Sequence, residues 1–87
     1  MVSQKVKVTN PSGLHLKPAG KVCNTALEFK SHITFQVRTT TANAKSMLSV
    51  LGAGVRCGEE ILLICEGPDE EAALARMVDL IEHDLGV

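Results

Sequence analysis

The chain has 87 residues, of which 45% are hydrophobic and 22% are charged, and its formal net charge is −1 at pH 7. This length suits one domain over residues 1–87 with a single core, and the composition argues against disorder. No basic run, no long apolar stretch and no apolar signal-peptide core occur, so we expect no nucleic-acid partner, no membrane span and a cytoplasmic location.

The first predicted elements are a strand and a helix joined by a turn. Residues 2–9 alternate between apolar and polar side chains, which predicts a half-buried strand. Pro11 and Gly13 mark the turn. A helix over about 16–28 follows, because apolar residues recur at the spacing of one helix face: Ala19, Val22, Cys23, Ala26 and Leu27. Gly20 inside this helix costs about 1 kcal/mol relative to alanine, so we expect close packing there.

The middle of the chain predicts a hairpin. Residues 33–37 alternate cleanly and are rich in β-branched and aromatic side chains, as in a strand. Residues 40–44 form a weakly patterned partner strand across a tight connection at Arg38 and Thr39.

Residues 45–52 predict a short helix with Ser46 as its N-cap, since a serine hydroxyl accepts a hydrogen bond from an N–H group in the first turn. So short a helix cannot bury four apolar residues on one face. Some of the four must therefore face water or a partner: Met47, Leu48, Val50 and Leu51.

The last predicted elements are an inner strand and a helix. Residues 60–66 form a continuous apolar run bounded by acids, which is typical of a central strand. Gly67 and Pro68 break the chain, and Asp69 with the two glutamates after it loads a helix start with favourable negative charge. The expected core face of that helix, closed by Gly86, consists of Ala73, Leu74, Met77, Val78, Ile81 and Leu85.

The element order β-α-β-β-α-β-α indicates an α+β fold. We expect a two-layer open-faced β-sandwich, in which a four-stranded, mostly antiparallel sheet is covered on one face by three helices.

The three cysteines, Cys23, Cys57 and Cys65, are odd in number and form no C-x-x-C pair. Cys23 and Cys65 lie in apolar patterns, so both are expected to be small core residues. His32 and His83 have no ligand-like spacing with the cysteines, and we therefore expect no metal and no cofactor.

His15 is the candidate site residue. It stands at, or just before, the start of the first helix, where unpaired backbone N–H groups and a partial positive charge form an anion site. Lys17 adds a full charge. This combination would suit a transient phosphohistidine, although a solvated or capping histidine is the plain alternative on the residues alone.

These residues resemble the HPr family, the histidine-containing phosphocarriers of the bacterial phosphoenolpyruvate–sugar phosphotransferase system. The similarity spans the chain. It rests on Gly13-Leu14-His15 followed by Pro18-Ala19, on Asn43-Ala44-Lys45-Ser46, on Gly54-Val55 and on Gly67 before an acidic helix start.

The resemblance implies that His15 accepts a phosphoryl group from enzyme I, through Nδ1, and passes it to enzyme IIA. The chain would be a protein substrate and not a turnover enzyme. Its size makes a monomer the default, although Met47, Leu48 and Leu51 could support a weak dimer. The implied site has catalytic His15 and Lys17, phosphate contacts from Leu16, Lys17 and Pro18, and partner contacts from Gly20, Met47, Leu48 and Leu51.

The resemblance also implies regulation at Ser46, which an HPr kinase/phosphorylase phosphorylates in HPr of Gram-positive type. A plain N-cap is the other interpretation of this serine. A regulatory HPr paralogue of the catabolite-repression type, acting through Ser46 and a transcription factor, is an alternative function. Such regulators typically lack the active histidine. A third alternative function is that of an interaction domain in which neither His15 nor Ser46 is phosphorylated.

The chain departs from the family pattern at three positions. Lys17 stands where an arginine is usual, Leu16 where a smaller residue is usual, and Gly20 is a third departure without an evident function. Arginine holds phosphate with a planar fork, whereas lysine is a mobile point charge. We therefore expect slower transfer, or fewer partners, with Lys17.

Overall fold

The computed structural model describes residues 1–85, which form one sheet and three helices. The strands and helices follow one another in the predicted order. Their bounds are β1 Val2–Lys7, α1 Leu16–Ala26, β2 His32–Val37, β3 Thr40–Asn43, α2 Met47–Gly52, β4 Glu60–Glu66 and α3 Glu70–His83.

The four strands form an antiparallel sheet in the order β1-β4-β2-β3. Strand β4 is central, as its apolar run predicts, and it pairs with β1 and β2. Ile61, Leu63 and Cys65 of β4 are buried, whereas the intervening Leu62 and Ile64 are only half-buried. The three helices therefore cover one face of the sheet and leave the other open, and the predicted fold is confirmed.

Helix α1 buries the predicted face except at its end. Ala19, Val22, Cys23 and Ala26 are buried, but the Leu27 side chain is 58% exposed, so its predicted place in the core is wrong. The physical reason is that α1 ends at Ala26. Leu27 is the C-cap, and its N–H donates to Cys23 O at 3.0 Å while its side chain lies beyond the buried face.

The start of α3 is tied to the α1–β2 connection, just before β2, by Asp69. This residue is the N-cap of α3, but its side chain makes no cap bond with the helix. Its carboxylate accepts instead from the Ser31 hydroxyl at 2.5 Å and from the Lys30 and Ser31 N–H groups at 2.9 Å each. These donors, the Ser31 hydroxyl foremost, lower the pKa of Asp69 to about 2.

The core face of α3 follows its predicted spacing. Ala73, Met77 and Ile81 are buried, and the predicted Leu74 and Val78 pack half-buried against the same core. Leu85 is also buried, although it lies past the end of the helix. The predicted closure at Gly86 lies outside the described residues.

The cysteines Cys23 and Cys65 are buried, as predicted, and Cys57 is exposed. Within residues 1–85 no three His, Cys, Asp or Glu side chains gather into a possible metal cluster. No helix in this part of the chain has the length and apolar character to cross a membrane.

Candidate functional site

His15 is the N-cap of α1 and its side chain is exposed. The backbone at His15 is extended (φ −80°, ψ −167°), and its carbonyl accepts from Ala19 N–H at 2.7 Å. The imidazole makes no cap bond with the helix. The ring therefore does not cap the helix, and a partner as large as a protein can reach it.

A tightly packed loop fixes the position of His15. Gly13 adopts φ +60°, and a Cβ built on it would lie 2.4 Å from Val55 O. That same carbonyl accepts from Leu14 N–H at 3.0 Å. Asn10, which is buried, donates from Nδ2 to Gly13 O at 2.7 Å. Glycine is thus required at position 13, where the loop presses against the backbone of Val55. This contact also holds His15, which follows Leu14, in position.

The first turn of α1 provides an open, positive site. Leu16 and Lys17 are the first two helical residues, and their N–H groups precede the first intrahelical bond. Pro18 is third and buried; it fixes the turn but has no N–H to donate. The Lys17 ammonium is exposed and has no ion-pair partner within residues 1–85. An anion near His15 would meet two N–H donors and one mobile charge.

An apolar surface extends from this turn across α1 and α2, which contact each other. The Leu16 and Leu48 side chains are 70% and 84% exposed. Met47 and Leu51 are half-buried against the core. We call this the α1–α2 surface; it consists of Leu16, Gly20, Met47, Leu48 and Leu51, so the residues predicted for partner contact belong to two touching helices.

Ser46 is the N-cap of α2, as predicted. Its hydroxyl accepts from Ser49 N–H at 3.2 Å, and its own N–H donates to Asn43 O at 3.0 Å. The Ser49 hydroxyl in turn accepts from Asn43 N–H at 2.8 Å. Ser46 directly precedes Met47, and it therefore stands at the border of the α1–α2 surface and on a different helix from His15.

The charges of the chain are strongly segregated, a feature that the net charge conceals. Residues 1–58 carry eight of the nine Lys and Arg side chains and one of the ten Asp and Glu side chains. Neither α1 nor α2 contains an acid. The two helices nearest His15 therefore carry Lys17 and Lys21 but no acid, and a comparison of the two parts of the sequence would have revealed this segregation.

One ion pair supports the backbone against which Gly13 packs, and no sequence pattern indicated it. Arg38, which adopts φ +53°, pairs with the Glu59 carboxylate and donates to Ala53 O at 2.5 Å. Glu59 also accepts from Arg56 N–H at 2.8 Å. The Arg38 hydrogen bond is the main reason that the pKa of Glu59 lies below its ordinary value. The pair joins the β2–β3 turn to the backbone against which Gly13 packs.

Comparison with known proteins gives one family. A family model described as "PTS HPr component phosphorylation site" matches residues 2–83. The chain is similar to the phosphocarrier protein HPr of Treponema pallidum (strain Nichols), with 39% identity over 95% of this chain and 94% of that protein. It is also similar to the HPr-like protein Crh of Bacillus subtilis (strain 168), with 32% identity over 98% of this chain and 100% of that protein. The crystal structure of HPr-C-His from Thermoanaerobacter tengcongensis superposes with a TM-score of 0.95 at 37% identity, covering 100% of this chain and 98% of that one.

Proposed function

The chain belongs to the HPr family of the phosphoenolpyruvate–sugar phosphotransferase system, and on this premise we propose that His15 accepts a phosphoryl group from enzyme I and passes it to enzyme IIA. The chain, a single domain over residues 1–87, then acts in the cytoplasm as a monomeric protein substrate that needs no cofactor. The observation that carries the proposal is the exposed His15 imidazole at the N-cap of α1, beside unpaired N–H groups and the Lys17 charge.

The transfer requires two balanced steps. In the first, the lone pair of an imidazole nitrogen, Nδ1 by family resemblance, forms a bond to phosphorus while the bond from phosphorus to enzyme I breaks. In the second, that N–P bond breaks as the acceptor on enzyme IIA takes the phosphoryl group. The transition state is loose, so positioning and charge stabilisation matter most. The N–H groups of Leu16 and Lys17 supply both, and an open site allows release.

Lys17 should make the transfer slower than an arginine would. A lysine ammonium keeps the charge but lacks the planar fork that binds two phosphate oxygens at once. We expect Lys17→Arg to raise the rate of transfer to enzyme IIA. Equal rates for the native chain and the variant would remove this idea.

The α1–α2 surface is proposed as the contact for enzyme I and enzyme IIA. Its exposed Leu16 and Leu48 side chains adjoin a region without acids, which suits an apolar patch ringed by carboxylates. Replacing Leu48 by serine should raise the KM for transfer and leave the unfolding free energy nearly unchanged, because the side chain is 84% exposed.

Phosphorylation of Ser46 by an HPr kinase/phosphorylase is proposed as a regulatory step. A phosphoserine carries a charge of about −1.5 to −2 at pH 7. At the border of the α1–α2 surface this charge would oppose an acidic partner. The expected result of treatment with ATP and the kinase is label on the native chain, none on Ser46→Ala, and a raised KM for enzyme I.

A regulatory protein of the Crh type is the second candidate, acting through phosphorylated Ser46 on a transcription factor of catabolite control. The similarity to Crh over the full length of both chains favours it. The presence of His15 favours the carrier, because such regulators typically lack the active histidine.

Phosphoenolpyruvate and enzyme I provide the test that separates these candidates. A carrier takes up an acid-labile phosphate that His15→Ala does not take up. A folded native chain that stays unlabelled, yet is labelled by ATP and the serine kinase, would refute the carrier and leave the regulator.

A further inference from the structure

Gly20 is a residue that the fold does not require. It lies in the interior of α1, where glycine is less stable than alanine because its backbone loses more conformational freedom. Its φ lies outside the left-handed region. Among the described residues outside its own helix, the only heavy atom within 4 Å of a Cβ built at Gly20 is Met47 Cε, at 3.9 Å, which is an ordinary contact. Alanine would therefore fit, so the close packing predicted at Gly20 is wrong, and neither packing nor backbone geometry explains the glycine.

The missing side chain leaves a notch in the α1–α2 surface. Leu16 precedes Gly20 by one helical turn on the same face and is 70% exposed. Met47 borders the notch from α2. The notch thus lies between two apolar side chains, and its floor is the backbone of α1.

We propose that this notch receives one protruding apolar side chain, such as Leu, Ile, Met or Phe, from the acidic contact surface of a phosphotransfer partner. Gly20 is then a specificity-determining residue, a role that rests on the proposed function. Charge complementarity identifies the partner surface as acidic, because neither α1 nor α2 contains an acid and the Lys17 ammonium, in the same helix as Gly20, is exposed.

Gly20→Ala tests the proposal because it should act on stability and on transfer in opposite directions. The variant should raise Tm by about 4 °C through its helix propensity. It should also raise the KM of the chain by about tenfold in charging by enzyme I or in transfer to enzyme IIA, with kcat within about twofold, since a methyl group in the notch overpacks the contact.

Gly52→Ala is the matched control. Gly52 is the last residue of α2 and is exposed, and nothing lies within 4 Å of a Cβ built there. It is outside the α1–α2 surface, so this variant should leave both KM values unchanged.

If the native chain takes phosphate from enzyme I, three outcomes would overturn the proposal that the notch receives a partner side chain. The first is a Gly20→Ala variant whose KM stays within twofold for both partners, and the second is one whose Tm falls. The third is a native chain that dimerises in sedimentation equilibrium while Gly20→Ala does not, which would make a second copy the occupant. If the native chain takes no phosphate at all, the proposed function itself fails.

Discussion

Replacing Gly13 by alanine should be among the most damaging single methyl additions to this chain, because two separate costs coincide there. Gly13 has φ +60°, a conformation that costs an alanine about 1 kcal/mol. The new Cβ would also lie 2.4 Å from Val55 O and 2.9 Å from Arg56 Cα, both backbone atoms that cannot rotate away.

The second cost can be estimated from the bond that the clash disturbs. Val55 O accepts from Leu14 N–H at 3.0 Å, and moving that carbonyl weakens a buried hydrogen bond worth about 1 kcal/mol and strains the loop by about 1–3 kcal/mol. The total is about 3–5 kcal/mol, a large share of the stability of a domain this size.

Gly54→Ala separates the two costs. Gly54 has φ +61°, almost the same as Gly13, but the nearest atom to its built Cβ is Arg38 Nη2 at 3.9 Å. This variant should lose only about 1 kcal/mol. Urea unfolding of both variants gives the comparison, and Gly13→Ala should also transfer phosphate more slowly because it displaces His15. Equal losses of unfolding free energy would refute the argument that contact with Val55 holds the loop.

Three further predictions concern single side chains. Asp69→Asn should lower the unfolding free energy at pH 7 and flatten its pH dependence. In the native chain, the ionised Asp69 carboxylate stabilises the fold above about pH 4, and this stabilisation is lost toward pH 2 because folding lowers its pKa from 3.8 to about 2. Urea unfolding of both proteins from pH 2 to 6 should show this difference, and parallel curves of unfolding free energy against pH would contradict it. Ser46→Ala should cost about 1 kcal/mol by removing the α2 N-cap, and Ser46→Thr should cost less; equal midpoints in urea for all three proteins would disprove the cap's contribution. Arg38→Ala should raise the pKa of Glu59 toward its ordinary value in an NMR titration, and an unchanged value would exclude the ion pair in solution.

Periodic patterns were sufficient to predict most of the fold, because burial itself is periodic. The apolar run at residues 60–66 identified the central strand, and the spacing of Ala19, Val22 and Ala26 identified the buried face of α1. Leu27 shows the limit of this method. It continues the spacing, but spacing does not determine where the helix ends.

His15 and Ser46 could be placed from sequence because helix caps are local features. The contacts that hold them could not be predicted, since they join distant parts of the chain. Asp69 and Ser31 are 38 residues apart, so the acidic helix start gave no sign that Asp69 bonds the connection between α1 and β2. The charge segregation is readable in the sequence, although the net charge of −1 averages the basic first part and the acidic last part of the chain.

The measurement that tests the central claim most directly is a pulse and chase. The native chain is first phosphorylated with labelled phosphoenolpyruvate and a trace of enzyme I. The phosphoenolpyruvate and enzyme I are then removed, and enzyme IIA is added. We expect one phosphate per chain, bonded to nitrogen of His15 by ³¹P NMR and mass spectrometry, which moves to enzyme IIA. A phosphate that forms elsewhere, or that stays on His15 when enzyme IIA is added, would contradict the assignment of this chain as a phosphocarrier.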